Sequence, residues 1–382
     1  MSDNRPKRVL ILTASVGAGH NQAAKAVVAA MGAACPDVLV ETIDSLTLVP
    51  RTFRAYYSGG YTLAVTKFPS LYGVGFWCND RPQRPGRGLV ERFRLWNERQ
   101  SLRRLARRLI DDPPDLIVNT HFLAAPLVAR LVAQGRLNVP QMVVVTDIRV
   151  HRFWHSEGVE RWFVPADESA ATLRRWGIAP GSITVSGIPV HPKWTAPLDR
   201  AAVLRDWSLP ADRPVVLLSG GTEFVCGPVV RIARRIAEAC PRAFLVVLAG
   251  RNKKLLGRLS ALPRAGRDIL PVAFTDRVHE LVDAAALMVT KAGGLSTAEC
   301  IARGTPMVLL PPVPGQEAGN AEFFARHGAA VLARRNRHVP DLVASVLGAP
   351  AELERMSAAA RALYRPGART VAEAVRDRLL PA

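Results

Sequence analysis

A short apolar run that ends in glycine and opens a helical stretch recurs along this chain. Arg8–Thr13 leads into Gly17-Ala18-Gly19-His20 and the Ala-rich segment Asn21–Gly32. Pro214–Ser219 ends in Gly220-Gly221 before a helix through Arg231–Ala239, and Ala243–Ala249 ends at Gly250. Leu287–Thr290 precedes Gly293-Gly294, and Pro306–Leu310 precedes a Pro/Gly loop. Val38–Ile43, Leu116–Asn119, Gln141–Thr146 and Arg161–Val164 read as further strands. Buried strands joined by helices predict parallel sheets with crossover connections. Two such sets predict an α/β chain of two Rossmann-like domains, with Pro189, Pro192 and Pro197 marking the linker. The expected division is residues 1–195, residues 196–350, and a helical segment 351–382 able to return to the first domain.

Apolar residues make up 49% of the 382, enough for packed interiors without crosslinks. The five cysteines have no metal-ligand or disulfide spacing, so a reducing cytosol is expected. No signal-peptide pattern opens the sequence, and no stretch reaches the ~18 apolar residues that span a bilayer. The net charge is +19, split as +10 over residues 1–195 and +9 over residues 196–382. From Arg81 to Ile110 there are ten arginines against two glutamates, following Tyr56, Tyr57, Phe68, Phe76 and Trp77 and including Phe93 and Trp96. Arginine mixed with aromatics suits an anionic membrane surface. An ordinary solvated helix and a nucleic-acid surface are the competing readings, and no nucleic-acid motif accompanies the charge.

Four motifs sit at predicted strand ends, where open α/β sheets bind ligands. In the first, Gly17 and Gly19 allow close backbone approach, and His20 at the helix mouth can take a proton from a hydroxyl. A helix-capping histidine without chemistry is the alternative. In the second, Gly220 and Gly221 can cradle phosphate or simply turn the chain. In the third, Gly293 and Gly294 lead to Ser296 and Thr297, which can bind phosphate at a helix N-terminus. Glu299, one turn on, can accept two ribose hydroxyls, or can form a capping box with Ser296. In the fourth, Gln316, Glu317 and Asn320 suit a hydroxyl-rich sugar, or an N-cap.

At these residues the chain resembles the family of monogalactosyldiacylglycerol synthases and processive diacylglycerol glucosyltransferases. It is more distantly similar to the N-acetylglucosaminyltransferase that acts on lipid-linked muropeptide. The resemblance runs through Ile11–Ser15 with Gly19-His20, Val145-Thr146-Asp147, Phe163-Val164-Pro165, Gly187–Val190, Phe274-Thr275-Asp276, Lys291–Gly294 and Gly315–Asn320. It implies a GT-B fold, two Rossmann-like domains with parallel sheets facing across a cleft. It also implies an inverting hexosyltransferase that uses UDP-glucose or UDP-galactose as substrate, without cofactor or bound metal. Carried over by position, His20 is the general base, Phe274 and Thr275 hold uracil, and Gly294, Ser296 and Thr297 hold phosphate. Glu299 then holds ribose, and Gln316, Glu317 and Asn320 the sugar. Tyr61 and Tyr72 match the acceptor and membrane region, which spans residues 55–110. Asp147 is a candidate to orient His20 or bind acceptor. The chain departs from the family in reading Val16-Gly17-Ala18-Gly19-His20 where members carry three glycines before the histidine. The expected partner is a diacylglycerol-type lipid, reached by peripheral contact of residues 81–110 with the inner face of the cell membrane, and not nucleic acid. A transferase using a soluble acceptor, a nucleotide-sugar epimerase and a basic nucleic-acid-binding protein are the rival readings.

Overall fold

A computed structural model describes residues 5–60, 73, 89–220 and 228–380. The expectations placed on Tyr61, Tyr72, Gly221 and residues 81–88 lie outside these. Two units emerge. One holds the chain up to Pro192, Pro314–Gln316 and Arg365 onward; the other holds Lys193–Val313 and Glu317–Tyr364.

The first unit is built on six parallel strands. They are β1 (Arg8–Thr13), β2 (Leu39–Asp44), β3 (Leu116–Asn119), β4 (Gln141–Val144), β5 (Arg161–Val164) and β6 (Ile183–Val185), in the order β2-β1-β3-β4-β5-β6. Side chains alternate between the two faces, as the pleat requires. Val9 and Ile11 pack with Leu116 and Val118 against the helices Gly19–Ala34 and Gly367–Leu379. Leu10, Leu12 and Ile117 face the opposite layer, with Leu105, Leu109, Leu127 and Leu131. Burial on both faces explains why β1 and β3 carry the apolar runs Val9–Leu12 and Leu116–Val118.

The helix Gly19–Ala34 buries Ala23, Ala24, Ala26, Val27, Ala30 and Met31. Their small side chains let the helix Gly367–Leu379 lie against it, burying Ala368, Val371, Ala372 and Val375. That late segment reaches the first unit at a crossing of two glycines. Gly187 has φ +80°, and a Cβ there would stand 2.8 Å from the Arg365 Cβ. A Cβ on Gly367 would stand 2.6 Å from the Gly187 carbonyl oxygen. Either glycine replaced by alanine should therefore loosen the last helix. We expect a loss of about 2–4 kcal/mol in stability for Gly187→Ala, combining left-handed strain with the clash. A denaturant titration checks this, and an unchanged midpoint would mean that the crossing yields without cost.

The second unit repeats the plan with β7 (Val215–Ser219), β8 (Phe244–Gly250), β9 (Ile269–Ala273), β10 (Leu287–Thr290), β11 (Met307–Leu309) and β12 (Ala330–Leu332). Their order is β12-β11-β10-β7-β8-β9, again all parallel. Val216, Leu218, Leu245, Val247, Leu287 and Val289 form its core with the helices Val229–Ala239 and Val339–Leu347. The helix Pro350–Leu363 belongs to this unit. Among the described residues no helix is long and apolar enough to cross a membrane.

Candidate active site

In each sheet the chain adds strands in one direction and then jumps to the other side of the first strand. The jump falls between β1 and β3 in the first unit, and between β7 and β10 in the second. At such switch points the carboxyl ends of neighbouring strands splay apart and leave room for a ligand. The first three motifs lie at these two places, and the fourth follows the neighbouring strand β11.

In the first unit, β1 runs into the loop Ala14–Ala18, where Gly17 takes φ +78°. Ser15 and Asn21 brace the loop. The Ser15 hydroxyl bonds the Asp44 carboxylate, and the Asn21 amide donates to the Ser15 oxygen at 3.1 Å. No side chain caps the helix that Gly19 opens, and its first turn carries no acidic residue. His20 is its second residue. The His20 Nδ1 lies 3.1 Å from the Thr120 carbonyl oxygen and 2.9 Å from the Thr146 hydroxyl. Thr120 follows β3 and Thr146 follows β4 closely, so three neighbouring strands converge on this ring. A carbonyl can only accept, so Nδ1 carries the proton and Nε2 keeps its lone pair. Among the described residues no hydrogen bond occupies Nε2.

The ring is packed deeply although part of the residue stays accessible. Burial pulls its pKa down to about 4, against a smaller opposing effect of the Thr120 carbonyl. At neutral pH it is therefore a neutral base. His121 stands across its ring at 4.5 Å, nearly perpendicular. The Leu123 N–H donates to the His121 Nδ1 at 3.0 Å, which puts the His121 proton on Nε2. Burial holds His121 well below the ordinary histidine range.

Asp147 takes a different place from the one expected as orienter of His20. The Nδ1 position is filled by Thr120 and Thr146, whereas the Asp147 carboxylate accepts from the indole N–H of the buried Trp154 at 3.3 Å. It also lies 3.8 Å from the His151 Nε2. The strand-end rule would have pointed to Thr120 and Thr146, since both follow a strand directly or by two residues.

In the second unit, β10 passes through Lys291-Ala292-Gly293 into the helix Gly294–Arg303. Gly293 is the N-cap, and no side chain caps the helix. The amides of Gly294, Leu295 and Ser296 thus open its N-terminus, the arrangement that attracts phosphate. Because the helix begins at Gly294, Ser296 lies inside it, and the capping box considered for Ser296 and Glu299 does not form. Ser296 is half-buried at the mouth. Thr297, expected at the phosphate, turns its hydroxyl back into the helix. It is fully buried, and its hydroxyl donates back to the Gly293 and Gly294 carbonyls at 2.9 and 3.0 Å.

Glu299 stands one turn into this helix. Burial raises its pKa to about 8, with Lys193 pulling weakly the other way. No hydrogen bond to its carboxyl occurs among the described residues. Glu317 and Asn320, expected at the sugar, are engaged with the turn itself. Lys291 Nζ pairs with Glu317 at 2.8 Å, and the buried Asn320 donates to the Ala292 carbonyl at 3.0 Å. They fix the path of the glycine turn. Gln316 is the first residue of the helix Gln316–Arg326 that carries both. Gly220 is buried at the end of β7. Phe274 and Thr275 follow β9. Phe274 is 57% exposed, with the Arg251 guanidinium 4.4 Å over its ring, and the Thr275 hydroxyl accepts from the Arg277 N–H at 3.0 Å. Sequence reading passed over Arg251, although the basic residue after Gly250 lies at a strand end.

Residues 20–190 match the family described as monogalactosyldiacylglycerol (MGDG) synthase, and residues 216–375 match the glycosyltransferase family 28 C-terminal domain. A processive diacylglycerol beta-glucosyltransferase of Bacillus subtilis is 29% identical over 92% of this chain and 90% of the relative. One of Staphylococcus aureus is 28% identical over 92% and 87%. Among solved structures, Acinetobacter baumannii MurG aligns with a TM-score of 0.60 at 17% identity, covering 98% of this chain and 100% of that one. The Staphylococcus aureus MnaA–UDP structure aligns with a TM-score of 0.64 at 13% identity, covering 98% and 97%. The fold is GT-B.

Proposed function

We propose, because this chain belongs to the monogalactosyldiacylglycerol synthase family and is a UDP-sugar glycosyltransferase, that it moves a hexose from UDP-glucose or UDP-galactose to diacylglycerol. The observation that carries the chemistry is His20, neutral, with Nδ1 committed to the Thr120 carbonyl and Nε2 open. In the reaction, Nε2 takes the proton of the acceptor hydroxyl while that oxygen bonds to the anomeric carbon. The bond from that carbon to the diphosphate breaks, and UDP leaves with the electron pair. A single displacement of this kind inverts the anomeric centre. The uncapped amides at Gly294–Ser296 stabilise the departing diphosphate, a role that otherwise falls to a metal ion. Glu299 accepts the ribose hydroxyls, and Phe274-Thr275 hold uracil. The names of the relatives support the acceptor class, and the turn geometry supports the nucleotide.

The membrane reading rests on the helices Leu89–Ser101 and Arg103–Asp111. Phe93 and Trp96 are 67% and 53% exposed and stack at 5.9 Å, one turn apart. Arginines 92, 103, 104 and 107 lie on the same two helices. An exposed aromatic pair beside cations is the composition of an interfacial anchor, at the inner face of the membrane.

Labelled UDP-glucose and UDP-galactose, each incubated with diacylglycerol in anionic vesicles and with a chelator present, test the reading directly. A labelled glycolipid is expected from one donor. Phe93→Ala/Trp96→Ala should lower the rate on vesicles about tenfold or more, while UDP affinity holds. Label released without diacylglycerol, or loss of transfer on chelation, would reject the acceptor or the metal-free mechanism respectively.

A further inference from the structure

The second unit carries a basic hollow that the transferase chemistry leaves unused. It is a groove of about 620 Å³ between the helices Val229–Ala239 and Lys253–Ser260. Arg231, Arg234, Lys254 and Arg258 line it, and among the described residues no acidic one does. Val230 and Leu262 supply an apolar wall. A smaller hollow of about 200 Å³ adjoins it through Arg231 and adds Arg235 and Arg337. Neither shares a residue with Lys291–Glu299 or with Phe274-Thr275.

The charges in the groove are largely uncompensated. Arg234 leans toward Glu238 at 3.6 Å, but both side chains are more than half exposed, so the pair contributes little. Among the described residues Arg231, Lys254 and Arg258 have no carboxylate within ion-pair distance. Four like charges around one hollow repel each other and concentrate a positive potential in it. Elsewhere in this unit Arg213 and Arg264 are both matched with Asp268. Guanidinium forks suit the tetrahedral oxygens of phosphate, and several of them suit more than one negative charge.

We propose that this groove binds a phosphate-bearing ligand at a second site, distinct from the donor turn. The same chemistry is offered by a soluble diphosphate and by a phospholipid headgroup, whose acyl part would meet Val230 and Leu262.

The full chain, with UDP added to saturation, is titrated with inorganic pyrophosphate in one arm. In the other it is mixed with phosphatidylcholine vesicles with and without phosphatidic acid. Both arms are repeated with Arg231→Gln/Lys254→Gln/Arg258→Gln. All three positions are exposed, so the variant keeps its fold and its UDP affinity. A loss of about tenfold or more in the variant, in either arm, is expected, and the arm in which it occurs identifies the source. Equal binding by both proteins in both arms overturns the proposal. So does a variant-sensitive response to duplex DNA alone, which would assign the groove to nucleic acid. If UDP itself fails to bind, the donor reading falls, but the comparison of variant with parent in the groove still stands.

Discussion

Replacing His20 by alanine is expected to lower hexose transfer by ~10²–10⁴-fold while changing UDP affinity by less than about twofold. The size follows from what general-base catalysis contributes, and the selectivity from where the residue sits. His20 lies on the first unit, whereas the nucleotide turn lies on the second. The pH profile adds a test of the ring's environment. The base must be neutral, and burial sets its pKa at about 4. The kcat/KM of the free enzyme should therefore be level from about pH 5 upward on the acid side and fall only toward pH 4. A limb near 6.5, the ordinary histidine value, would mean that the working ring is solvated. Near-parental transfer by His20→Ala would remove the base assignment altogether.

Glu299→Ala should weaken UDP binding by about 10–100-fold, the cost of losing charge-assisted hydrogen bonds to ribose hydroxyls. The carboxyl is raised to about 8 by burial, so it is mostly protonated at neutral pH in the empty site. Two donated hydroxyl bonds favour the carboxylate and lower that pKa. UDP binding at pH 7 should then release a proton, and affinity should rise with pH until about 8 and level off above it. Calorimetry in buffers of different ionisation enthalpy reads the proton directly. The empty protein gives the converse sign. Its Glu299 holds a proton up to a higher pH than the unfolded chain does, so this group's contribution to stability falls as pH rises from the ordinary 4.5 through about 8. Glu299→Gln removes that fall, and its Tm should exceed the parent's most at pH 8 and above. A pH-independent UDP affinity would place the ribose elsewhere.

The central strands were legible because they are buried on both faces. β3, β4, β10 and β11 lie entirely inside, and each carries an apolar run: Leu116–Val118, Met142–Val144, Leu287–Val289 and Met307–Leu309. The strands that sequence reading passed over, β6, β9 and β12, are all sheet edges and are only partly buried. β9 even carries Pro271, which an edge tolerates and a central strand does not. The glycine turns were legible for a related reason, since a strand that must enter a helix at once needs them. The duties of individual side chains beside those turns were less so. Thr297 and Ser296 are neighbours of similar chemistry, and only the start of the helix at Gly294 decides that one hydroxyl turns inward. Asn320 and Glu317 look like sugar ligands in a Pro/Gly loop, yet one holds a carbonyl of the turn and the other its lysine. Asp147 likewise stands one residue from Thr146, and in the loop beyond β4 the two side chains meet different partners.

The crossing of Gly187 and Gly367 ties the last helix to the first-made part of the chain. On the ribosome, strands β1–β6 emerge well before Gly367–Leu379, which comes only after the whole second unit. Until then the flank of the helix Gly19–Ala34 that receives Val371 and Val375 has no cover. The nascent first unit is therefore left waiting with an apolar seam open, and the helix bearing His20 at its mouth is sealed only by residues synthesised after the whole second unit.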